Sequence, residues 1–314
     1  MTMLAVGFER YGPPEVLNVV TLDDLTPPAD HVRVRVRAAT VNPADVQYRA
    51  GKYAEAVAGA APPLVAGLEF AGEVEIAGDE ARWRRGDRVV GMTKFIPDGR
   101  GCHAEQVVVH ADSLALLPPA ASFAGYATIP MSGLTARQTL DRLTLDPGDT
   151  LVVTGAGGAV GAYVVQLASA AGIDVVGIAG PGHEEFVRRC GASSFVARGE
   201  RALTQVADAH PAGVDAVADL AIIGEPVTQV LKPGGSVASF KPYEPGLYTS
   251  VEPIVVSARR YLREPDKLAE LVALAADDRL TLRVGEVVPF SAAAEAHRLV
   301  ERGGLHGRVV LSFA

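Results

Sequence analysis

The sequence predicts an α/β protein in two parts, one rich in β-strands and one a doubly wound parallel sheet. Three observations carry this. A glycine run, Gly155-Ala156-Gly157-Gly158-Ala159-Val160-Gly161, joins an apolar strand to an apolar helix. Short apolar runs alternate with helical stretches from Thr150 to Phe240. The first third is mostly strand, and His31-Val32-Arg33-Val34-Arg35-Val36-Arg37 alternates strictly. A chain of 314 residues is long enough for two domains.

Each element has its own warrant. In residues 31–37 the period of two puts valines inward and arginines outward, as in a half-solvated strand. Strands follow at 70–76, 88–92 and 104–109, divided by Gly-Asp and Pro-Asp-Gly turns and interrupted by a helix at 44–49. After Pro118-Pro119 the character changes. Strands at 151–154, 175–179, 194–197, 216–219 and 236–240 then alternate with helices at 160–171, 184–190, 201–209 and 225–231. That alternation means a parallel sheet wound by right-handed crossovers. From about Pro253, helices at 265–276 and 291–301 and strands near 282–288 and 308–313 predict that the chain returns to complete the first domain. The expected boundaries are 1–122 with 252–314 for the β-rich domain and 123–251 for the doubly wound one.

Composition narrows the partners. Hydrophobic residues make up 48% and charged residues 21%, a balance that fills a sizeable core. A net charge of −8 speaks against a nucleic-acid surface and favours a small-molecule partner. The one basic cluster, Arg82-Trp83-Arg84-Arg85, reads as a solvated loop. No stretch approaches the roughly 20 apolar residues of a membrane span. The start, Leu4-Ala5-Val6-Gly7-Phe8, has neither a basic segment nor a cleavage site, so a cytoplasmic location is expected. Two distant cysteines, Cys102 and Cys190, exclude a disulfide framework and a zinc site of clustered thiolates.

The glycine run carries the chemistry. Glycines let a strand–helix turn tighten and approach a pyrophosphate, while the helix N-terminus supplies N–H donors and the positive end of its dipole. A dinucleotide is the ligand such a loop is built for.

The order of motifs resembles the zinc-free quinone oxidoreductases of the medium-chain dehydrogenase/reductase superfamily. The matching residues are Asn42-Pro43-Ala44-Asp45, Arg49-Ala50-Gly51-Lys52-Tyr53, Gly67-Leu68-Glu69-Phe70-Ala71-Gly72, Gly86-Asp87-Arg88-Val89 and His103-Ala104-Glu105. They continue with Gly133-Leu134-Thr135-Ala136, Pro147-Gly148-Asp149-Thr150, the glycine loop, Lys232-Pro233-Gly234-Gly235 and Gly307-Arg308-Val309-Val310-Leu311, so the similarity spans essentially the whole chain. It implies a GroES-like catalytic domain split in sequence around a Rossmann domain, with both contributing to the active site. Zinc-dependent relatives have a ligand cysteine in the Asn42–Asp45 region and a histidine at Leu68. Leucine cannot coordinate a metal, so no catalytic zinc is expected. The chemistry left is hydride addition to an already electrophilic quinone or enone.

The resemblance also assigns residues. Asn42 and Asp45 match positions that place the nicotinamide or substrate; Asp45 reads nearly as well as a cap of the short helix it enters. Tyr53 matches a tyrosine that related enoyl reductases are thought to use as a donor, and a neutral phenol with a pKa of about 10 donates at pH 7. The alternative for Tyr53 is a hydroxyl that only caps the pocket wall. Tyr48, on the same turn, lines the pocket or packs the core. Glu69 and His103 read as structural.

The resemblance places Thr135 at the nicotinamide end, and Gly155, Gly158 and Gly161 shape the diphosphate loop. The nucleotide is chosen after the second strand, where Val175-Val176-Gly177-Ile178-Ala179-Gly180-Pro181-Gly182-His183 contains no acid to hold a ribose diol, which argues against NAD. Relatives that use NADPH commonly place a serine and a lysine where Gly180 and His183 stand. Arg198 falls where the family often has a tyrosine, and its guanidinium suits a 2′-phosphate as readily as solvent. The expectation is therefore NADPH, with NADH as the alternative, in a homodimer joined along a sheet edge shortly after Phe240. Two other readings stay open: a pathway-specific enoyl reductase whose pocket the alanine-rich stretch before Pro62 shapes, and a family member with a structural or non-redox role.

Overall fold

A computed structural model describes residues 2–240 and 246–313. β1 (Thr2–Phe8) pairs antiparallel with β2 (Asn18–Asp23). β3 (His31–Val41) follows, then α1 (Pro43–Arg49), and β4 (Leu64–Val65) returns to the other edge of β1. β5 (Glu69–Ala77), β6 (Arg88–Met92), β7 (Gln106–His110) and β8 (Leu114–Leu116) build a second sheet around β3. Val32, Val34 and Val36 are buried as the alternation predicts. The outward arginines meet carboxylates of the neighbouring strand: Arg35 Nε donates to Glu75 at 2.7 Å and Arg37 Nη2 to Glu73 at 2.8 Å. The period of two in β3 thus meets its charge complement in Glu73-Val74-Glu75 of β5.

α2 (Phe123–Tyr126) and α3 (Pro130–Leu143) lead into the doubly wound region. There follow β9 (Thr150–Thr154), α4 (Ala159–Ala170), β10 (Asp174–Ala179), α5 (Glu184–Arg189), β11 (Ser194–Ala197), α6 (Ala202–Ala209), β12 (Val214–Asp219), β13 (Leu231–Ser239) and β14 (Ile254–Val255). These strands form one parallel sheet in the order β11-β10-β9-β12-β13-β14. Leu151, Val152 and Val153 of β9 are fully buried, which explains the unbroken apolar run of a strand covered on both faces.

The chain then adds α7 (Pro265–Ala276), β15 (Val284–Pro289), α8 (Ala293–Arg302) and β16 (Arg308–Ser312). β16 pairs with β3 and carries β15 on its outer edge, completing the first region's sheet. Two units result, Met1–Met131 with Leu262–Asp277 and Leu282–Ala314, and Ser132–Tyr261 with Asp278–Thr281.

Two expectations need correction or placement. Residues 225–231 are not an α-helix: Glu225–Val230 is a 3-10 turn and β13 begins at Leu231. Val227, Thr228 and Val230 are β-branched, and β13, which begins at Leu231, cuts the segment short. The edge strand expected just after Phe240 would begin in residues 241–245, which lie outside the described residues; among the described residues the sheet ends at β14.

Candidate functional site

In the second unit the site is built from the ends of parallel strands. β9 ends at Thr154, and Gly155 turns the chain with φ +65°, in the left-handed region that favours glycine. Gly158 is the N-cap of α4 and brings no side chain to the first-turn N–H groups, so the helix opens with the donor array and dipole that suit an anion. Ala159 and Val160 begin that helix. A Cβ on Gly161 would lie 2.2 Å from the Gly155 carbonyl oxygen, so only glycine lets the helix close on the loop. Ala156, wholly buried, fixes the loop from below.

The loop has neighbours from the next two strands. A Cβ on Gly157 would stand 2.6 Å from Cγ of His183, and one on Gly180 would stand 3.6 Å from Cδ2 of His183 and 3.7 Å from Nε of Arg198. Gly157, Gly180, His183 and Arg198 therefore form one cluster beyond the carboxyl ends of β9, β10 and β11. Glu184, the first acid after β10, is paired with Arg188 at 2.9 Å, one helical turn on. Thr135 lies buried on α3, and its carbonyl accepts a hydrogen bond from the Thr139 hydroxyl at 2.8 Å.

In the first unit the predicted residues occupy different environments. Asp45 is fully buried and uses both carboxylate oxygens: Oδ2 accepts the Asn42 N–H at 2.7 Å and Oδ1 the Gly67 N–H at 2.9 Å. With Asn42 it forms the capping box of α1, the helix-capping role open to it from sequence. Burial pushes its carboxyl pKa up, against the opposing pull of His103 and of the two N–H donors. Asn42 donates to Glu69 Oε1 at 3.2 Å and accepts from Arg308 Nη2 at 2.8 Å. Tyr48 is wholly buried, stacked on Phe95 with ring centroids 4.0 Å apart, and burial raises the pKa of its phenol. Tyr53 alone of these four keeps partial exposure, with its hydroxyl 3.3 Å from Gln47 Oε1.

Two centres were missed from sequence. Arg308, the first residue of β16, donates through Nη2 to Glu69 Oε1 at 2.6 Å, Thr40 Oγ1 at 2.7 Å and Asn42 Oδ1, while Glu69 Oε2 accepts the Met131 N–H at 2.7 Å. A cation opening the otherwise apolar run Val309-Val310-Leu311 was the available signal. Asp219, at the end of β12, is fully buried and accepts four hydrogen bonds. An acid closing the apolar strand Ala216-Val217-Ala218 was its signal.

The donors around Leu68 do not fit a zinc ion. Asp45 and Glu69 are committed as described, His103 Nε2 donates to the Thr40 carbonyl at 3.0 Å, and the Cys102 thiol donates to the Glu69 carbonyl at 3.3 Å. Burial also pushes the Cys102 thiol well above its ordinary pKa, away from the thiolate a metal requires.

Comparison with known proteins places the chain. Residues 28–132 match the family model "Alcohol dehydrogenase GroES-like domain" and residues 190–311 the model "Zinc-binding dehydrogenase". A quinone oxidoreductase of Pseudomonas aeruginosa is 35% identical over 192 residues, covering 60% of this chain and 56% of that protein. A probable mitochondrial zinc-binding oxidoreductase of Arthroderma benhamiae is 31% identical over 265 residues, 79% of each. The alignments span about half to three fifths of the length of the first curated relatives that the chain matches. The solved structure of the quinone oxidoreductase from Coxiella burnetii superposes with a TM-score of 0.85 at 27% identity, covering all of both chains. The ordered motifs, the two-part α/β architecture and these relatives agree: the chain belongs to the zinc-free quinone oxidoreductase family of the medium-chain dehydrogenase/reductase superfamily.

Proposed function

We propose that the protein is an NADPH-dependent reductase of a quinone or an α,β-unsaturated carbonyl. The observation that carries this is the cluster at Gly157 and Gly180. It pairs a glycine loop sized for a diphosphate with a guanidinium and an imidazole in the place where an NAD site needs a carboxylate. When bound, the nicotinamide supplies the hydride. The loop from Gly155 to Gly161 would hold the diphosphate, Arg198 and His183 the 2′-phosphate, and Thr135 the nicotinamide end. Tyr53 would hold the proton for the oxygen of the reduced carbonyl. Asn42 and Asp45 act beneath it as the frame of α1, and Tyr48 packs against the same wall.

The test is a fluorescence titration with NADPH and NADH, followed by turnover with a panel of quinones and enones. Tighter NADPH than NADH, with oxidation by at least one acceptor class, is expected. Absence of binding by either nucleotide at millimolar concentration sinks the reading. Arg198→Ala should weaken NADPH more than NADH; an equal effect removes Arg198 from the phosphate site. Tyr53→Phe should slow enone reduction more than quinone reduction, because a reduced quinone needs less help with its proton.

A further inference from the structure

Asp219 stands directly across from Thr154 where β12 pairs with β9. In the order β11-β10-β9-β12-β13-β14 this is the point from which the sheet winds outward both ways, and open parallel sheets bind ligands beyond their carboxyl ends at that point. The carboxylate is wholly buried and fully used. Oδ1 accepts the Thr154 hydroxyl at 2.7 Å and the Ile223 N–H at 3.1 Å; Oδ2 accepts the Gly224 N–H at 2.8 Å and the Tyr248 hydroxyl at 2.7 Å. Thr154 Oγ1 in turn accepts the Ala221 N–H at 2.9 Å.

These bonds fix residues 220–224 in a shape the chain would not choose alone. Ile222 has φ +58°, a left-handed conformation that costs a β-branched residue on the order of 1–3 kcal/mol, and Gly224 has φ +82°. The same segment lies against the phosphate loop: a Cβ on Gly155 would stand 3.5 Å from the Ala221 nitrogen. Tyr248 ties in a second strap, where Glu225 accepts the Thr249 N–H at 2.5 Å and the Ser250 N–H at 3.2 Å. One buried acid therefore joins the glycine loop, a strained turn and a distant strap.

We infer that Asp219, with Tyr248, is a positioning pair that sets the wall for the nicotinamide-bearing half of the dinucleotide. The inference rests on the nucleotide reading above. Residues that read the adenosine half follow the second strand, here β10 with Gly180 and His183, so the other half runs over β12. Loosening the Asp219 wall acts on that half and leaves the adenosine half as it was.

The experiment uses Tyr248→Phe, which removes one bond and keeps the ring, alongside Asp219→Asn. An asparagine amide would face N–H or O–H donors with a donor of its own. NADPH, NADH and adenosine 2′,5′-bisphosphate, a probe of the adenosine half alone, are titrated against the full chain. Tyr248→Phe should weaken NADPH and NADH by a common factor, on the order of five- to tenfold, and leave the bisphosphate within about twofold. Asp219→Asn should show the same pattern with a larger factor. Equal loss of all three ligands, or no loss of any, overturns the inference while the nucleotide reading stands. A wild-type chain that binds none of them overturns both.

Discussion

Replacing Arg308 by methionine tests how the first unit carries its buried charge. The guanidinium is nearly buried, the Glu69 side chain is wholly so, and Nη2 serves Glu69, Thr40 and Asn42 together. Methionine fills much of the volume but returns none of these bonds, which leaves a carboxylate without its counter-charge. Breaking a buried pair from one side costs about 3–5 kcal/mol. For a domain of this size that lowers Tm by about 6–20 °C. The probe is built in, because Trp83 is the only tryptophan in the chain, belongs to this unit and donates to the Ala111 carbonyl at 2.8 Å. Urea unfolding followed by its fluorescence reads this unit. The double variant Glu69→Gln with Arg308→Met removes the stranded charge. Its neutral amide still accepts from the Met131 N–H and donates toward Thr40 or Asn42, so it should recover more than half of the loss. A single variant within about 1 kcal/mol of wild type, or a double variant no better than the single, refutes the claim that uncompensated charge sets the cost.

Other positions give sharper single outcomes. Burial first, then His103 and Arg49, hold the pKa of fully buried His297 well below 6.5. The folded state keeps it neutral while the unfolded chain takes up a proton, so its contribution is complete above pH 6.5. It falls by about 1.4 kcal/mol per unit as pH drops below that. His297→Leu should remove this slope from urea unfolding between pH 7 and 5, and an unchanged slope would assign the acid sensitivity elsewhere. Gly161→Ala forces a Cβ to 2.2 Å from a backbone oxygen and should weaken nucleotide binding by more than about tenfold; wild-type affinity in the titration would contradict the loop closure. The buried Tyr48 hydroxyl has no hydrogen-bond partner among the described residues, so Tyr48→Phe should leave turnover unchanged and stability equal or up to about 1 kcal/mol higher. Lost turnover would return that hydroxyl to the reaction.

Much of the fold was legible because local pattern and tertiary role coincide. The alternation in His31–Arg37 survives intact in β3, and the glycine run falls between β9 and α4 as a strand–loop–helix demands. Residues 225–231 differ where they do not coincide: the place between two strands suits a helix, but β-branched Val227, Thr228 and Val230 and the onset of β13 leave only a 3-10 turn. The site was legible in part for the same reason. Glycines announce close approach in the sequence itself, whereas the partners of Arg308 and Asp219 are set by pairings 239 and 65 residues apart in the chain, which no local pattern encodes.

That difference sorts the candidate residues by physics. A charge buried in a folded chain must be matched on every lone pair and proton, and once matched it has nothing left to recognise a ligand. Asp45, Glu69, Arg308 and Asp219 are of this kind, with their hydrogen bonds turned inward to backbone amides and to one another. Arg198 is different: it is exposed at the carboxyl end of the parallel sheet, beside Gly180, where its charge stays solvated. Arg198, His183 and Tyr53 keep the exposed or partly exposed positions on which the proposed recognition rests, whereas the buried acids hold backbone amides of their own neighbourhoods in place.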